Sequence, residues 1–264
     1  SLDYFQENFG PYQFDYARVI EFPGYATFAQ AFAGTVPYSE RIGFIANTAD
    51  EDDIDYVSYV TAHEYAHQYW AHQLISAYMQ GGTMMVETMA QYSALMVMKE
   101  IYGEEQIRRF LKYGLDAYLS SRGGEASEEL PLNRVENQGY IHYRKGAVVL
   151  YLLQERLGED RVNGMLAALL ERFKFKSQPY ASSTDLVAGF KSLARDDAEV
   201  RLVADLLDNI TLYDFAAFDA RVAVLDNGQS ETTFPVTAAQ LYADGADEET
   251  DAVFDNLVAI GAFA

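Results

Sequence analysis

The chain has 264 residues, half of them hydrophobic and 14% aromatic, which is enough apolar material for a substantial core. Its 40 acidic and 19 basic residues give a net charge of −21, which argues against nucleic acid and anionic membrane surfaces as partners because both would be repelled. The absence of cysteine excludes disulfides and thiolate chemistry. No stretch approaches the ~18–20 apolar residues of a membrane helix. The N-terminus lacks the pattern of a signal peptide, and we expect the chain to be a segment of a longer protein.

The first part of the chain mixes aromatic residues with proline and glycine. Two short strands are predicted there, at residues 17–22 and 42–45, with a Pro-Gly turn between them. The acidic run at residues 50–53 favours the start of a helix, because carboxylates stabilise the positive end of the helix dipole. We expect this helix to extend to about Leu74.

The following region has mostly helical patterns, interrupted by an acidic loop at residues 120–132. Glycines after two of the helices, Gly103 and Gly158, are typical of C-terminal caps. Helices are predicted at residues 84–102, 104–119, 140–157, 159–173, 183–193 and 197–207.

The pattern changes near Asn209. Residues 210–225 are rich in aromatic and β-branched side chains, and an Asp-Asn-Gly turn separates them from a partner strand at residues 231–242. A further strand is predicted at residues 257–263. We therefore predict a mainly α protein with a small β portion, divided into a helical domain at residues 1–208 and a small β module at residues 209–264.

A histidine pair in the first long helix carries the strongest chemical signal. His63 and His67, in His63-Glu64-Tyr65-Ala66-His67, lie about 40° apart around a helix, so both imidazoles can face one point. Zinc accepts such a pair together with a carboxylate and keeps a fourth position open for water. Glu64 lies beside the first histidine, where it can take a proton from that water.

The third ligand is predicted to be Glu87, which follows His67 with nineteen intervening residues in a second helical stretch. Two of the four histidines of the chain lie in the motif, on an otherwise apolar helix face. The alternative is that both are core histidines bonded to neighbours. An inward glutamate beside two inward histidines is costly without a metal, so the sequence favours a zinc site.

Hydrolysis also needs a donor for the negative charge that develops on the substrate carbonyl oxygen. Tyrosine is suitable, because a pKa of about 10 keeps its proton at neutral pH. Tyr140 and Tyr143 both lie at the start of a predicted helix, and the chain has 20 tyrosines. Chemistry alone leaves the choice open.

Together, His63 to Trp70, the helix with Glu87, and Tyr143-Arg144-Lys145-Gly146 resemble the aminopeptidase N family of zinc metallopeptidases, the gluzincins, which include leukotriene hydrolase. The resemblance implies a thermolysin-like catalytic domain that binds one Zn²⁺ through His63, His67 and Glu87. It implies Glu64 as general base and Tyr143 as the donor to the tetrahedral intermediate.

The sequence departs from the family pattern at three points. The family usually has eighteen residues before the ligand glutamate, and we attribute the nineteenth to a longer Gly81-Gly82 loop. The family's Gly-x-Met-Glu-Asn motif, which holds the substrate amino group, corresponds here to residues 36–43, with only Glu40 in register. Glu40 is therefore the candidate amine-binding residue, with a surface charge at a strand edge as the alternative. The family's N-terminal β domain has no counterpart.

The resemblance implies a peptidase that cleaves peptide substrates, with aminopeptidase activity. Within the family, residues 86–98 and 134–146 are most similar to peptidase domains fused to bacterial ABC-transporter permeases, which implies a soluble, extracytoplasmic domain of a membrane protein. Two alternative functions remain open. One is a zinc-stabilised binding or gating module of such a transporter. The other is a thermolysin-like endopeptidase, although Gln91 stands where those enzymes carry an aspartate.

Overall fold

The computed structural model describes residues 1–47, 53–122, 124, 127–246 and 248–255. The chain divides into two compact units, Ser1–Asp208 and Asn209–Ala264. The described part of the first unit is mainly helical with a two-stranded sheet, and that of the second consists of strands. The predicted fold class, mainly α with a small β portion, is confirmed.

A short parallel sheet follows the first helix. Helix α1 (Leu2–Phe9) leads to strand β1 (Arg18–Phe22), which pairs in parallel with β2 (Thr35–Ser39). The strand predicted at residues 42–45 is wrong, because this segment forms a turn whose amides bond back to Ser39 and Glu40. Its side chains are largely exposed, whereas β2 buries alternate residues.

Helix α2 (Tyr56–Ala66) carries the histidine motif. The Asp55 side chain caps it by accepting a hydrogen bond from the Ser58 amide at 2.9 Å. The helix ends before the predicted Leu74, because most of the following amides bond three or five residues back and the regular α-helical ladder is lost. Most of the acidic run predicted to start this helix lies outside the described residues.

The second long helical segment starts with a π-helical turn, Met84–Thr88, and continues as α3 (Met89–Arg122). Gly103 interrupts it with φ at +81°, a conformation that favours glycine. The two helices predicted on either side of Gly103 are therefore present, separated by a kink. The methionines at the start of this segment are buried in the core.

The remaining helices of the first unit pack as an array. They are a π-helical turn at Tyr140–Lys145, α4 (Gly146–Leu157), α5 (Glu159–Phe173), α6 (Ser183–Leu193) and α7 (Asp197–Leu207). The last three have the predicted ends. Among the described helices, none combines the length and the apolar character that crossing a bilayer requires.

The second unit contains antiparallel strands. They are β3 (Ile210–Ala217), β4 (Arg221–Val224), β5 (Ser230–Thr233), β6 (Val236–Ala243) and β7 (Glu249–Ala252). Strand β4 pairs with β5 across the predicted turn, and β6 lies between β3 and β7. The predicted long strand is divided at Asp219, whose φ of +51° breaks the extended backbone. The strand predicted at residues 257–263 lies outside the described residues.

Candidate active site

Helix α2 directs both motif histidines to one point. His63 and His67 are each 8% exposed, and their Nε2 atoms lie 3.0 Å apart. The four-residue spacing places them one turn apart on the same face, as the sequence predicts. The two rings meet edge to face, with centroids 4.5 Å apart.

The third donor comes from the π-helical turn that precedes α3. Glu87 Oε2 lies 3.3 Å from the Nε2 atom of each histidine. In this turn the Met89 amide bonds to the Met84 carbonyl, five residues back, which widens the turn. The structure therefore brings together the three residues that the sequence proposes as metal ligands, and they form a group that could hold an ion.

These donors fit a zinc ion. A tetrahedral site with ligands at about 2.0–2.1 Å separates ligand atoms by about 3.3 Å, close to the 3.0, 3.3 and 3.3 Å found here. Glu87 Oε2 is buried and has no hydrogen-bond partner by standard geometry. Two imidazoles and a carboxylate also match the ligand types of catalytic zinc sites.

A backbone contact fixes the tautomer of His67. Its Nδ1 lies 3.2 Å from the Trp70 carbonyl oxygen, which can only accept, so Nδ1 carries a proton and Nε2 is the nitrogen that is left to bind a metal. The Trp70 indole donates to Ser93 Oγ at 2.9 Å, which connects this segment to α3. The histidine is thus prepared to bind a cation through Nε2.

The charges of the three candidate metal ligands, His63, His67 and Glu87, called here the donor group, depend on one another. Burial raises the pKa of Glu87, but the close contacts with the side chains of His63 and His67 outweigh it and hold this pKa well below its usual value. Burial lowers the pKa of His63, and the nearby His67 lowers it further. Glu87 is therefore an anion and His63 is neutral at neutral pH, which are the forms that bind a metal.

Glu64 lies beside this group in the wall of the same cavity. It is 6% exposed, and its carboxylate accepts a hydrogen bond from the Ala31 amide. Burial raises the pKa of Glu64 to about 7. A carboxylate with this pKa can both accept and return a proton near neutral pH.

The structure separates the two candidate tyrosines. Tyr143 lines the cavity, and its ring centroid lies 5.8 Å from that of His63. Tyr140 instead stacks on Tyr118 at 6.1 Å. Burial and the Glu87 carboxylate raise the pKa of Tyr143, so its hydroxyl stays protonated at neutral pH.

The cavity has a volume of about 340 Å³ and includes residues that the sequence does not reveal. One wall is the backbone of Ala29–Ala31, which the β1–β2 connection carries over Glu64. His72 also lines it. No local pattern marks these residues, because only the packing of the connection over α2 brings them here.

Glu40 is not among the residues that line this cavity. Its Oε1 accepts a hydrogen bond from the Gly24 amide at 2.7 Å, so the carboxylate is held at the turn after β1. The role of Glu40 in binding an amino group stays a prediction.

Residues 1–205 match the peptidase family M1 domain. The chain belongs to this family. The M1 family implies one catalytic zinc ion, in agreement with the donor group on α2 and Glu87, and the predicted resemblance to zinc metallopeptidases of the aminopeptidase N type is confirmed.

Two curated relatives show how much of an M1 protein is present. Human endoplasmic reticulum aminopeptidase 2 is 28% identical over 187 residues, which are 67% of this chain and 19% of that protein. Aminopeptidase M1-A of Oryza sativa subsp. japonica is 28% identical over 199 residues, which are 72% of this chain and 22% of that protein. The M1 chain thus spans about a fifth of these relatives.

Solved structures share the fold. An M1 zinc metallopeptidase of Deinococcus radiodurans superposes with a TM-score of 0.58 at 21% identity, covering 78% of this chain and 42% of that one. Native leukotriene A4 hydrolase of Saccharomyces cerevisiae gives 0.60 at 16% identity, covering 78% and 32%. These matches do not show fusion to a transporter permease or a place outside the cytoplasm.

Proposed function

We propose that this M1 domain is the catalytic part of a zinc aminopeptidase that hydrolyses the peptide bond next to a free amino terminus. The convergence of His63, His67 and Glu87 beside Glu64 in one cavity carries this proposal. The aminopeptidase names of its relatives support the exopeptidase part. The gating module and the endopeptidase have no such support.

His63, His67 and Glu87 are assigned as the residues that hold the zinc ion. When bound, zinc lowers the pKa of a coordinated water and polarises the substrate carbonyl. The three side chains come from two separate helical segments, so α2 and the π-helical turn before α3 must stay packed for the site to exist.

Glu64 is assigned as the general base. Its carboxylate takes the proton of the attacking water and returns it to the amine that leaves when the carbon–nitrogen bond breaks. The Ala31 amide holds one side of this carboxylate in place. Because Glu64 lines the cavity next to the ligand histidines, it lies within reach of both transfers.

Tyr143 is assigned as the donor to the carbonyl oxygen. Its hydroxyl group keeps its proton, and Tyr143 lines the same cavity as Glu64 and the two histidines. As negative charge develops on the oxygen, a hydrogen bond from Tyr143 becomes stronger than in the substrate, which lowers the barrier.

The test compares the zinc-loaded chain with its E64Q variant. We expect E64Q to bind zinc like the wild type and to lose hydrolysis of aminoacyl amides by at least about 10²-fold, because an amide cannot accept the proton. Zinc content is measured by atomic absorption. The control is E105Q, the same change at an exposed glutamate, which is expected to keep full activity. Full turnover by E64Q would contradict the assignment.

Specificity is tested on matched substrates with a free or an acetylated amino terminus. An aminopeptidase cleaves only the free form, whereas an endopeptidase accepts both. The E40Q variant belongs in the same assay. A rise in KM of E40Q for the free-amine substrate, with little change in kcat, would support Glu40 as the amine-binding residue.

A further inference from the structure

Two widened helical turns face each other behind the donor group. One is Met84–Thr88, which contains Glu87, and the other is Tyr140–Lys145, which contains Tyr143. In the second turn the Gly146 amide bonds to the Ile141 carbonyl, again five residues back. Both residues assigned outside α2 therefore lie in π-helical turns, whose geometry is less self-supporting than that of an α-helix.

A buried hydrogen bond connects the two turns. The Thr88 hydroxyl donates to the His142 carbonyl oxygen at 2.7 Å, and Thr88 has no exposed surface. Thr88 directly follows Glu87, and His142 directly precedes Tyr143. This bond therefore joins the backbone neighbours of a metal ligand and of the proposed carbonyl donor.

The backbones can approach this closely because residue 146 is a glycine. A Cβ atom added to Gly146 would lie 2.6 Å from Thr88 Cγ2 and 2.7 Å from Thr88 Oγ1. Real Cβ contacts are not this short, so any larger residue would push the turns apart. The threonine is buried and short, and it has no flexible end that could move aside.

We propose that Thr88, packed against Gly146, is a positioning residue that sets the place of Tyr143 relative to Glu87. This inference rests on the proposed function, because it gives Tyr143 a role in hydrolysis. The threonine acts through the His142 carbonyl: it fixes the turn of Tyr143 but touches neither the metal nor the substrate. A displacement of about 1 Å at such a group can cost about 10²-fold in rate.

Glu87 is held independently of this hydrogen bond. The buried methionines 84, 85 and 89 fix its turn in the core, and the Trp70–Ser93 bond ties α3 to the segment after α2. The loss of the Thr88 hydroxyl should therefore move Tyr143 and leave the metal site in place. A role in core packing alone would lower stability without changing kcat.

The experiment uses the full chain loaded with zinc and the variants T88V and T88S. Valine keeps the shape and removes the donor, whereas serine keeps the donor. We expect T88V to lower kcat about tenfold with KM and the zinc Kd changed by less than about threefold, and T88S to stay within about twofold of the wild type. Zinc affinity is measured by competition with a chelator.

The matched control is T83V, at the residue that directly precedes the same turn. Thr83 also donates its hydroxyl to carbonyl oxygens of another segment, those of Val135 and Glu136, but neither of these residues is adjacent to Tyr143 in the chain. T83V removes a comparable bond and is expected to keep kcat within about twofold.

A second variant, G146A, keeps the Thr88 hydroxyl and forces the turns apart, so it should lower kcat as T88V does. If T88V does not fold, the kcat of G146A tests the positioning role instead.

Hydrogen exchange supplies a readout that does not depend on activity. Amide exchange at residues 140–146 should be faster in zinc-loaded T88V than in T83V, because the turn has lost its external partner. Unchanged exchange there would overturn the inference, as would a wild-type kcat in T88V or a loss of zinc as its main effect. An inactive wild-type chain with bound zinc refutes the proposed function instead, and exchange then decides the positioning role alone.

Discussion

Tyr143 is the residue whose removal tests the chemistry with the least disturbance of the metal. We expect Y143F to lower kcat by about 10²–10³-fold with KM little changed, because a single oxyanion donor of this kind contributes mainly in the transition state. Steady-state kinetics on an aminoacyl amide, with zinc content measured in parallel, checks this.

The control for Y143F is Y140F. Tyr140 begins the same turn, but its ring stacks on Tyr118 and it is not among the cavity-lining residues. Y140F should keep kcat within about threefold of the wild type. A larger loss in Y140F than in Y143F would exchange the roles of the two tyrosines.

At the scale of elements, a buried ion pair holds the turn that carries Tyr143. Lys145 Nζ lies 2.8 Å from Glu129 Oε1, and both residues are 5% exposed. Tyr118 donates to the same carboxylate at 2.6 Å, and Arg122 Nε donates to it at 2.7 Å. Burial raises the pKa of Glu129, but Lys145, Tyr118 and Arg122 outweigh it and lower this pKa.

Breaking this pair should destabilise the first unit. We expect E129Q to lower the free energy of unfolding at pH 7 by about 3 kcal/mol, because it leaves the Lys145 charge buried without its anion. Urea denaturation measures this difference. The control is E128Q, the neighbouring exposed glutamate, which should change it by less than about 0.5 kcal/mol.

The same pair predicts a pH dependence. The pKa of Glu129 is lower in the folded than in the unfolded chain, so its contribution is present above the unfolded pKa of about 4.3 and is lost as pH falls through the folded value. The stability difference between wild type and E129Q should therefore shrink between pH 7 and about pH 3. A difference that grows on acidification would contradict the assigned charges.

At the scale of the whole molecule, the metal site belongs to one of the two compact units, Ser1–Asp208. All residues of the donor group and its cavity belong to the first unit. We expect a chain of residues 1–208 to bind zinc with the Kd of the full chain, and zinc at about 1,000 times Kd to stabilise either form by about 4 kcal/mol.

Calorimetry with and without zinc tests this division. The truncated chain should show the zinc-dependent transition of the full chain, while any transition of the strand unit should not respond to zinc. A truncated chain that fails to fold or to bind zinc would contradict the boundary and make the second unit a part of the catalytic body.

Local sequence patterns predicted the placement of the histidine pair and the ends of several helices. The spacing of His63 and His67 places both on one helix face whatever surrounds that helix, because helical periodicity is a local property. Helices α5, α6 and α7 end where capping and periodicity indicate. The strand predicted at residues 42–45 was wrong, because a short apolar stretch is compatible with a strand and with a turn.

Distances between remote segments were decided only by the folded chain. The approach of Glu87 to the histidines, the position of Tyr143 in the cavity wall, the Ala31 amide on Glu64 and the contact of Thr88 with Gly146 all depend on how separate elements pack. The sequence by itself determined which residue types can bind a metal and which of them share a helix. The tertiary structure determined which of them meet, because side chains far apart in the chain are brought within hydrogen-bond distance only by the burial of a common core.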